Sequence, residues 1–195
     1  MERMERLDAR LTGELPASRV RKLMRFCPIP EKSSLLDMTV GMDSPLRGLH
    51  RLRPGVALSG ICGEFDYFRG IRNELPDVEL IFGKPSKLPW DDETFDAVNC
   101  SMLAGSEENG AALFDAMRVL KSGGRLMIYV RSAPNFMLRA LHSLKNAQED
   151  ENGTPISVRE AQELLSSLGA ESVSVHRVSM TRALVVGVKP QISEQ

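Results

Sequence analysis

Residues 35–46, reading LLDMTVGMDSPL, concentrate the groups of this 195-residue chain that could do chemistry together. Two leucines run into Asp37, a carboxylate at the tip of an apolar stretch. Ser44-Pro45 then reads as a helix opening, with Ser44 as N-cap and Pro45 at the first helical position. Strand, turn and helix start together form the corner at which open α/β sheets take their ligands, and the free amides of the helix start favour an anionic group. Gly41 is the glycine of the turn, and a turn this tight calls for its left-handed backbone. Taken alone, the stretch reads equally as a plain strand-turn-helix.

The other reactive side chains are scattered. Cys27, Cys62 and Cys100 are too few and too far apart for a disulfide framework or a zinc site. Cys62 and Cys100 lie in apolar runs and read as small buried hydrophobes, with no histidine placed to activate either. His50, His142 and His176 share no spacing, so no metal site is expected. His142, on a helix after the fifth strand, is the candidate base. Tyr129 and Asn99 fall near strand ends, where they either line a pocket or pack and cap.

Composition bounds the function classes. With 42% hydrophobic and 26% charged residues the chain is an ordinary globular sequence. A formal charge of -1 gives no field for nucleic acid or membrane, so neither is expected as a partner. No apolar run approaches the ~18 residues of a membrane span. Glu2, Glu5 and Asp8 stand where a targeting peptide avoids acids, so a cytoplasmic location is expected.

The elements that must position the Asp37 corner follow from periodicity. Val20, Leu23, Met24 and Cys27 recur at helical spacing in an N-terminal helical segment, residues 1–30, expected to pack on the remainder, 31–195. Strands are expected at 56–62, 78–82, 95–102 and 126–130, with helices between them; Leu113, Ala116, Met117 and Leu120 share one helix face that stops at Lys121-Ser122-Gly123-Gly124. A helix is expected from about residue 135, carrying Met137, Leu141 and Leu144, and then a polar loop over 148–154. Ser157 and Glu160 form a capping box for a helix ending at Gly169. The runs 173–178 and 183–188 are too close for a crossover and imply an antiparallel hairpin. The alternation predicts an α/β sheet of seven strands, mostly parallel, with helices on both faces and an antiparallel C-terminal hairpin.

GKPSKLPWDDETFDAVNCSM, AMRVLKSGGRLMIYV, SVREAQELLSSLGAESVSV and the terminal VVGVKP together resemble the class I S-adenosylmethionine-dependent methyltransferases, in the branch acting on small molecules and quinones. The resemblance covers about residues 33–190 and implies a Rossmann-like seven-stranded methyltransferase sheet, S-adenosylmethionine as cofactor and a small-molecule acceptor. It places the cofactor along Asp37, Thr39, Gly41 and Asp43, then at the ends of the second and third strands, at Cys62, Glu64, Lys84 and Ser86, with Asn99 nearby. In-line displacement at a sulfonium methyl works chiefly by holding the reactants in line, so no catalytic residue is assigned.

At four of these positions the residues depart from the family pattern. Thr39 and Asp43 replace two glycines of the first turn. Asp43 would repel a carboxylate at the helix mouth or cap the helix itself. Cys62 stands where an acid would accept from both ribose hydroxyls, and Lys84, which has donors only, stands where an acid would accept from the adenine amine. Glu64 could reach the ribose if the strand ran further, Ser86 could accept from adenine, and Lys87, Leu88 and Trp90 could cover its face. The departures carry a second reading: a catalytically silent member of the same fold, serving as a binding or scaffolding subunit, in a homo-oligomer or with a protein partner. Nicotinamide-dependent reduction is a third, opposed by the terminal hairpin and the missing glycine fingerprint.

Overall fold

Apolar runs and amphipathic stretches alternate along the chain, and they become strands and helices in that order in the computed structural model, which describes residues 15, 17–41, 44–101, 107–131, 157–179 and 182–191. The elements are α1 (Ala17–Phe26), β1 (Ser34–Asp37), α2 (Leu46–Leu52), β2 (Ala57–Cys62), α3 (Phe65–Glu74), β3 (Glu79–Phe82), β4 (Phe95–Ser101), α4 (Glu107–Val119), β5 (Leu120–Arg131), α5 (Val158–Ser167), β6 (Glu171–Ser179) and β7 (Arg182–Val188). One seven-stranded sheet runs in the order β3-β2-β1-β4-β5-β7-β6. Strands β1 to β5 pair in parallel, whereas β7 is antiparallel to both β5 and β6. This is the α/β architecture that the alternation and the closing hairpin predict.

Because side chains alternate along a strand, each strand feeds two cores. Leu35, Leu58 and Leu80 meet Val20, Leu49 and Ile71 of α1, α2 and α3 on one face. Leu36, Ile61 and Val98 meet Leu113, Ala116 and Leu165 of α4 and α5 on the other. The N-terminal helix packs on the domain, as its spacing predicts: Val20 and Leu23 are buried, and the Val20 methyl lies 2.7 Å from where a side chain on Gly48 would begin. At α5, Glu160 N donates to Ser157 Oγ and Ser157 N to Glu160 Oε2, and Gly169 at φ +79° ends the turn.

One junction departs from the spacing. Helix α4 stops at Val119, and Leu120 already belongs to β5, paired with Phe95 ahead of a register shift. The cause is competition for backbone groups. Thr94 N donates to Val119 O and Gly123 N to Lys189 O, so the neighbouring chain takes bonds that a further helical turn would have used. Gly123, at φ +75°, lies within β5 instead of capping the helix. The helix expected from residue 135, with His142, and the loop at 148–154 lie outside the described residues.

Candidate functional site

The corner is built on β1, which lies between β2 and β4 with Asp37 in register with Gly60 and Asn99. Past the strand, Met38 N donates to Asn99 O at 2.9 Å and Val40 N to Ile61 O at 3.1 Å, so both neighbours anchor the turn. Asp37 is 0% exposed. Its Oδ1 accepts from Asn99 Nδ2 at 3.0 Å and from Thr39 N at 3.2 Å, while Oδ2 accepts from Ser44 Oγ at 2.5 Å. Burial pushes the carboxyl above its ordinary range, and the bonds from Ser44, Asn99 and Thr39 only partly oppose that. Asp37 and Asn99 thus form a buried polar knot that fixes the turn.

Two details of the turn correct the sequence reading. Helix α2 starts at Leu46 with Pro45 in the cap position, so Ser44 is not the N-cap. Its hydroxyl is drawn down to Asp37 and at the same time accepts from Leu46 N at 3.3 Å, which uses the first amide of a helix only seven residues long. Gly41 does not take a left-handed backbone; among the described residues, positive φ glycines are Gly123 and Gly169. A side chain built on Gly41 would meet nothing within 4 Å among the described residues. Steric demand falls instead on Gly60, where a Cβ would lie 2.6 Å from Val40 Cγ2, because buried Val40 folds inward over β2. The spacing gave no sign of Gly60, whose partner is brought in by the tertiary fold.

Strand β2 ends at Cys62, whose buried thiol donates to Glu64 O at 3.2 Å and is raised by that burial. The strand therefore does not extend to Glu64. Glu64 instead precedes α3 in an extended conformation, with an exposed side chain. Lys84 and Ser86 are exposed beyond the end of β3. Trp90 and Leu88 do not reach this corner. Trp90 Nε1 donates to Glu79 Oε2 at 2.9 Å and its ring meets Phe95 edge-on at 5.5 Å, both at the amino ends of strands, while Leu88 is buried in the α4-side core.

The stretch around Trp90 is held by a hub that the spacing also left unread. Arg118 donates to Leu88 O, Trp90 O, Asp92 and Asp115, and Asp115 Oδ2 accepts from Leu88 N at 2.5 Å. Two of the segments most diagnostic by resemblance are thus clamped to each other.

Asp43 and His142 lie outside the described residues. His50 pairs with Asp77 at 2.9 Å, and His176 stacks on Phe26 at 4.6 Å. Tyr129 is buried in the α1-side core beneath the Arg182 guanidinium. No cluster of three metal-ligating side chains occurs among the described residues, and no described helix is long and apolar enough to cross a membrane. Clefts of about 310 Å³, beside His50, Val56 and Asp77, and of about 170 Å³, beside Pro28, Asp96 and Gly124, open at the amino ends of strands, away from Asp37.

The family described as a methyltransferase domain matches residues 63–128, from Gly63 into β5. Demethylmenaquinone methyltransferase of Thermotoga maritima is 31% identical over 107 residues, 54% of this chain and 46% of the relative. The enzyme of the same name from Renibacterium salmoninarum is 35% identical over 82 residues, 36% of this chain and 35% of the relative. The chain spans less than half the length of each of these two relatives. A crystal structure from Bacillus halodurans C-125, which carries a provisional methyltransferase name, superposes with a TM-score of 0.68 over 88% of this chain and 99% of that one. Its sequence identity is 16%, so that likeness is one of fold.

Proposed function

We propose that this chain is a class I S-adenosylmethionine-dependent methyltransferase that transfers a methyl group to a small-molecule acceptor at the carboxyl edge of β1, β2 and β4. The observation that carries this reading is the methyltransferase-domain match over residues 63–128, which begins just after Cys62 and takes in β3, β4 and most of β5, β4 being one of the two strands that flank β1. The residues present fit the cofactor on one further point. Gly41 is held to glycine neither by its own backbone nor by a described neighbour, which leaves room for a ligand to approach the main chain closely.

In this reading Asp37 positions the turn from beneath, through Ser44, Thr39 and Asn99, without touching the ligand. Glu64 offers the exposed carboxylate that Cys62 lacks and accepts from the ribose hydroxyls, and Ser86 accepts from the adenine amine past Lys84. When bound, S-adenosylmethionine supplies an electrophilic methyl group on a sulfonium. The chain contributes a rigid platform that holds acceptor and methyl in line, which by itself is worth several powers of ten in rate. A quinone-type acceptor is supported by the two relatives named for demethylmenaquinone.

Cys62 and Lys84 favour a second reading, a silent member of the fold that binds a partner instead of a cofactor. One experiment separates the two. At one hundred times its dissociation constant a ligand adds about 2.7 kcal/mol, so S-adenosylhomocysteine should raise the melting point by roughly 5–11 °C. The absence of both a shift and binding heat at millimolar ligand would overturn the enzyme reading and leave the silent one.

A further inference from the structure

Asp37 is a buried carboxylate with no cation beside it. Its donors are all neutral: Ser44 Oγ from the entry to α2, Asn99 Nδ2 from β4 and Thr39 N from the turn. The titratable groups that face it are the thiols of Cys62 on β2 and Cys100 on β4, and burial holds both neutral. No lysine, arginine or histidine among the described residues pairs with it. The partly buried Asp96 and Asp115 differ, since Lys121 lies 3.0 Å from the first and Arg118 2.6 Å from the second. An ionised carboxylate left without a counter-charge in a dry site destabilises the fold, and either a proton or a cation from outside relieves it.

The knot around Asp37 suits both protonation states. Oδ1 accepts from Asn99 and Thr39, whereas Oδ2 meets the Ser44 hydroxyl, which donates to a carboxylate and equally accepts from a carboxyl. A proton therefore enters or leaves at Oδ2 with the turn kept in place. Asp37 ends β1 at the carboxyl edge, beside the turn where Gly41 has no described neighbour within 4 Å of an added side chain. The methyl-transfer reading puts its ligand there, and on that reading the ligand changes charge in the reaction. S-adenosylmethionine, with sulfonium, ammonium and carboxylate, is a net cation. S-adenosylhomocysteine, with a thioether in place of the sulfonium, is neutral overall.

We propose, on that reading, that Asp37 makes the corner selective for charge: its carboxylate draws a cationic ligand without touching it, so the ionised protein takes S-adenosylmethionine in preference to S-adenosylhomocysteine. Two unit charges within about 12 Å, at an effective dielectric of about 20, interact by enough for about a tenfold change in affinity. Once the methyl group is transferred the sulfonium is gone, and the product leaves more readily. Linkage fixes the sign. The cation favours loss of the Asp37 proton, so the preference is present above the pH at which the folded carboxyl titrates and fades as pH falls through it. Burial sets that pH above the ordinary carboxyl range.

Titration calorimetry of the full chain with each ligand, from about pH 5 to about pH 8.5, tests this in the wild type and in Asp37→Asn. Both ligands carry the same ammonium and carboxylate, so the ratio of their dissociation constants isolates the sulfonium. The wild type should favour S-adenosylmethionine about tenfold at the upper end and lose the preference toward acid, releasing a proton as it binds that ligand within the window. Asp37→Asn should bind the two alike at every pH. Runs in two buffers of different ionisation heat count the proton in the wild type alone, which keeps the test decisive if the variant fails to fold. Equal wild-type affinities across the range, or a preference that Asp37→Asn retains, would overturn the proposal and leave the methyl-transfer reading standing. If neither ligand binds, that reading falls and the selectivity with it.

Discussion

The Ser44 hydroxyl donates to Asp37 Oδ2 across 2.5 Å, where Asp37 has no exposure and Ser44 has 5%. The serine that reads as a helix cap is therefore spent on a carboxylate seven residues earlier, and the start of α2 is pinned to the end of β1. Removing a donor from a buried acceptor costs about 1–3 kcal/mol. Ser44→Ala should lower the melting point by roughly 2–4 °C per kcal/mol for a domain of this size. Scanning calorimetry checks this, and an unchanged transition would show that the bond adds no stability.

Stability against pH should carry the mark of Asp37. Its folded carboxyl titrates above the unfolded value of about 3.9, so the folded state holds this proton more firmly. That contribution is complete below the unfolded value and is lost as pH rises through the folded one. Relative to Asp37→Asn, the wild type should lose ground over that window and then level off. Urea midpoints of both proteins measured as a function of pH would expose a parallel pair of curves if the carboxyl were unperturbed.

Asp115 should act with the opposite sign. Burial raises its carboxyl, and the Arg118 guanidinium with the Leu88 amide more than reverses this, holding it below the usual range. Its contribution is present above about 3.9 and is lost as pH falls through the folded value. Arg118→Ala removes the bonds to Leu88 O, Trp90 O and Asp92 as well. It should cost about 1.5–3 kcal/mol at neutral pH and flatten the acid limb. Denaturation at pH 7 and at acid pH would test both parts, and a steep acid limb in the variant would assign that limb elsewhere.

Ligand affinity should follow the acceptors at the end of β2. Glu64→Ala should weaken S-adenosylhomocysteine at least tenfold, the equivalent of about 1.5–3 kcal/mol for hydrogen bonds to a charged acceptor. Cys62→Asp placed in that variant should restore part of the loss. Titration calorimetry reads both, and an affinity indifferent to Glu64 would remove it from the site.

The three thiols should be inert in the folded protein. Cys27, Cys62 and Cys100 are all buried; burial pushes the Cys27 thiol up to about 11 and raises the other two as well. A disulfide reagent at mildly alkaline pH should label none of them until denaturant is added, and then all three. Labelling of the native chain would reveal an opening that the folded structure does not contain.

Much of the fold was legible because it is encoded at short range. Val20 and Leu23 mark a helix face, Ser157 and Glu160 mark a cap, and alternation in 183–188 marks a strand, since each signal needs only neighbours within one turn or one pleat. The junction at Leu120 was misread for the same reason. Its helical spacing is sound, but Thr94 and Lys189, distant in the chain, take the backbone bonds.

By itself the sequence determined most of the described strands and helices, the antiparallel closing hairpin, and the strand-and-turn residues that gather around Asp37. Only the tertiary structure decided how those residues are used. Asn99 reaches Asp37 across 62 positions and Val40 fills the space over Gly60, so Ser44 became a tie, Gly41 was left open and Gly60 became the crowded glycine. Local periodicity specifies which face of an element is apolar, whereas hydrogen bonds and close contacts between distant segments exist only after those faces have packed.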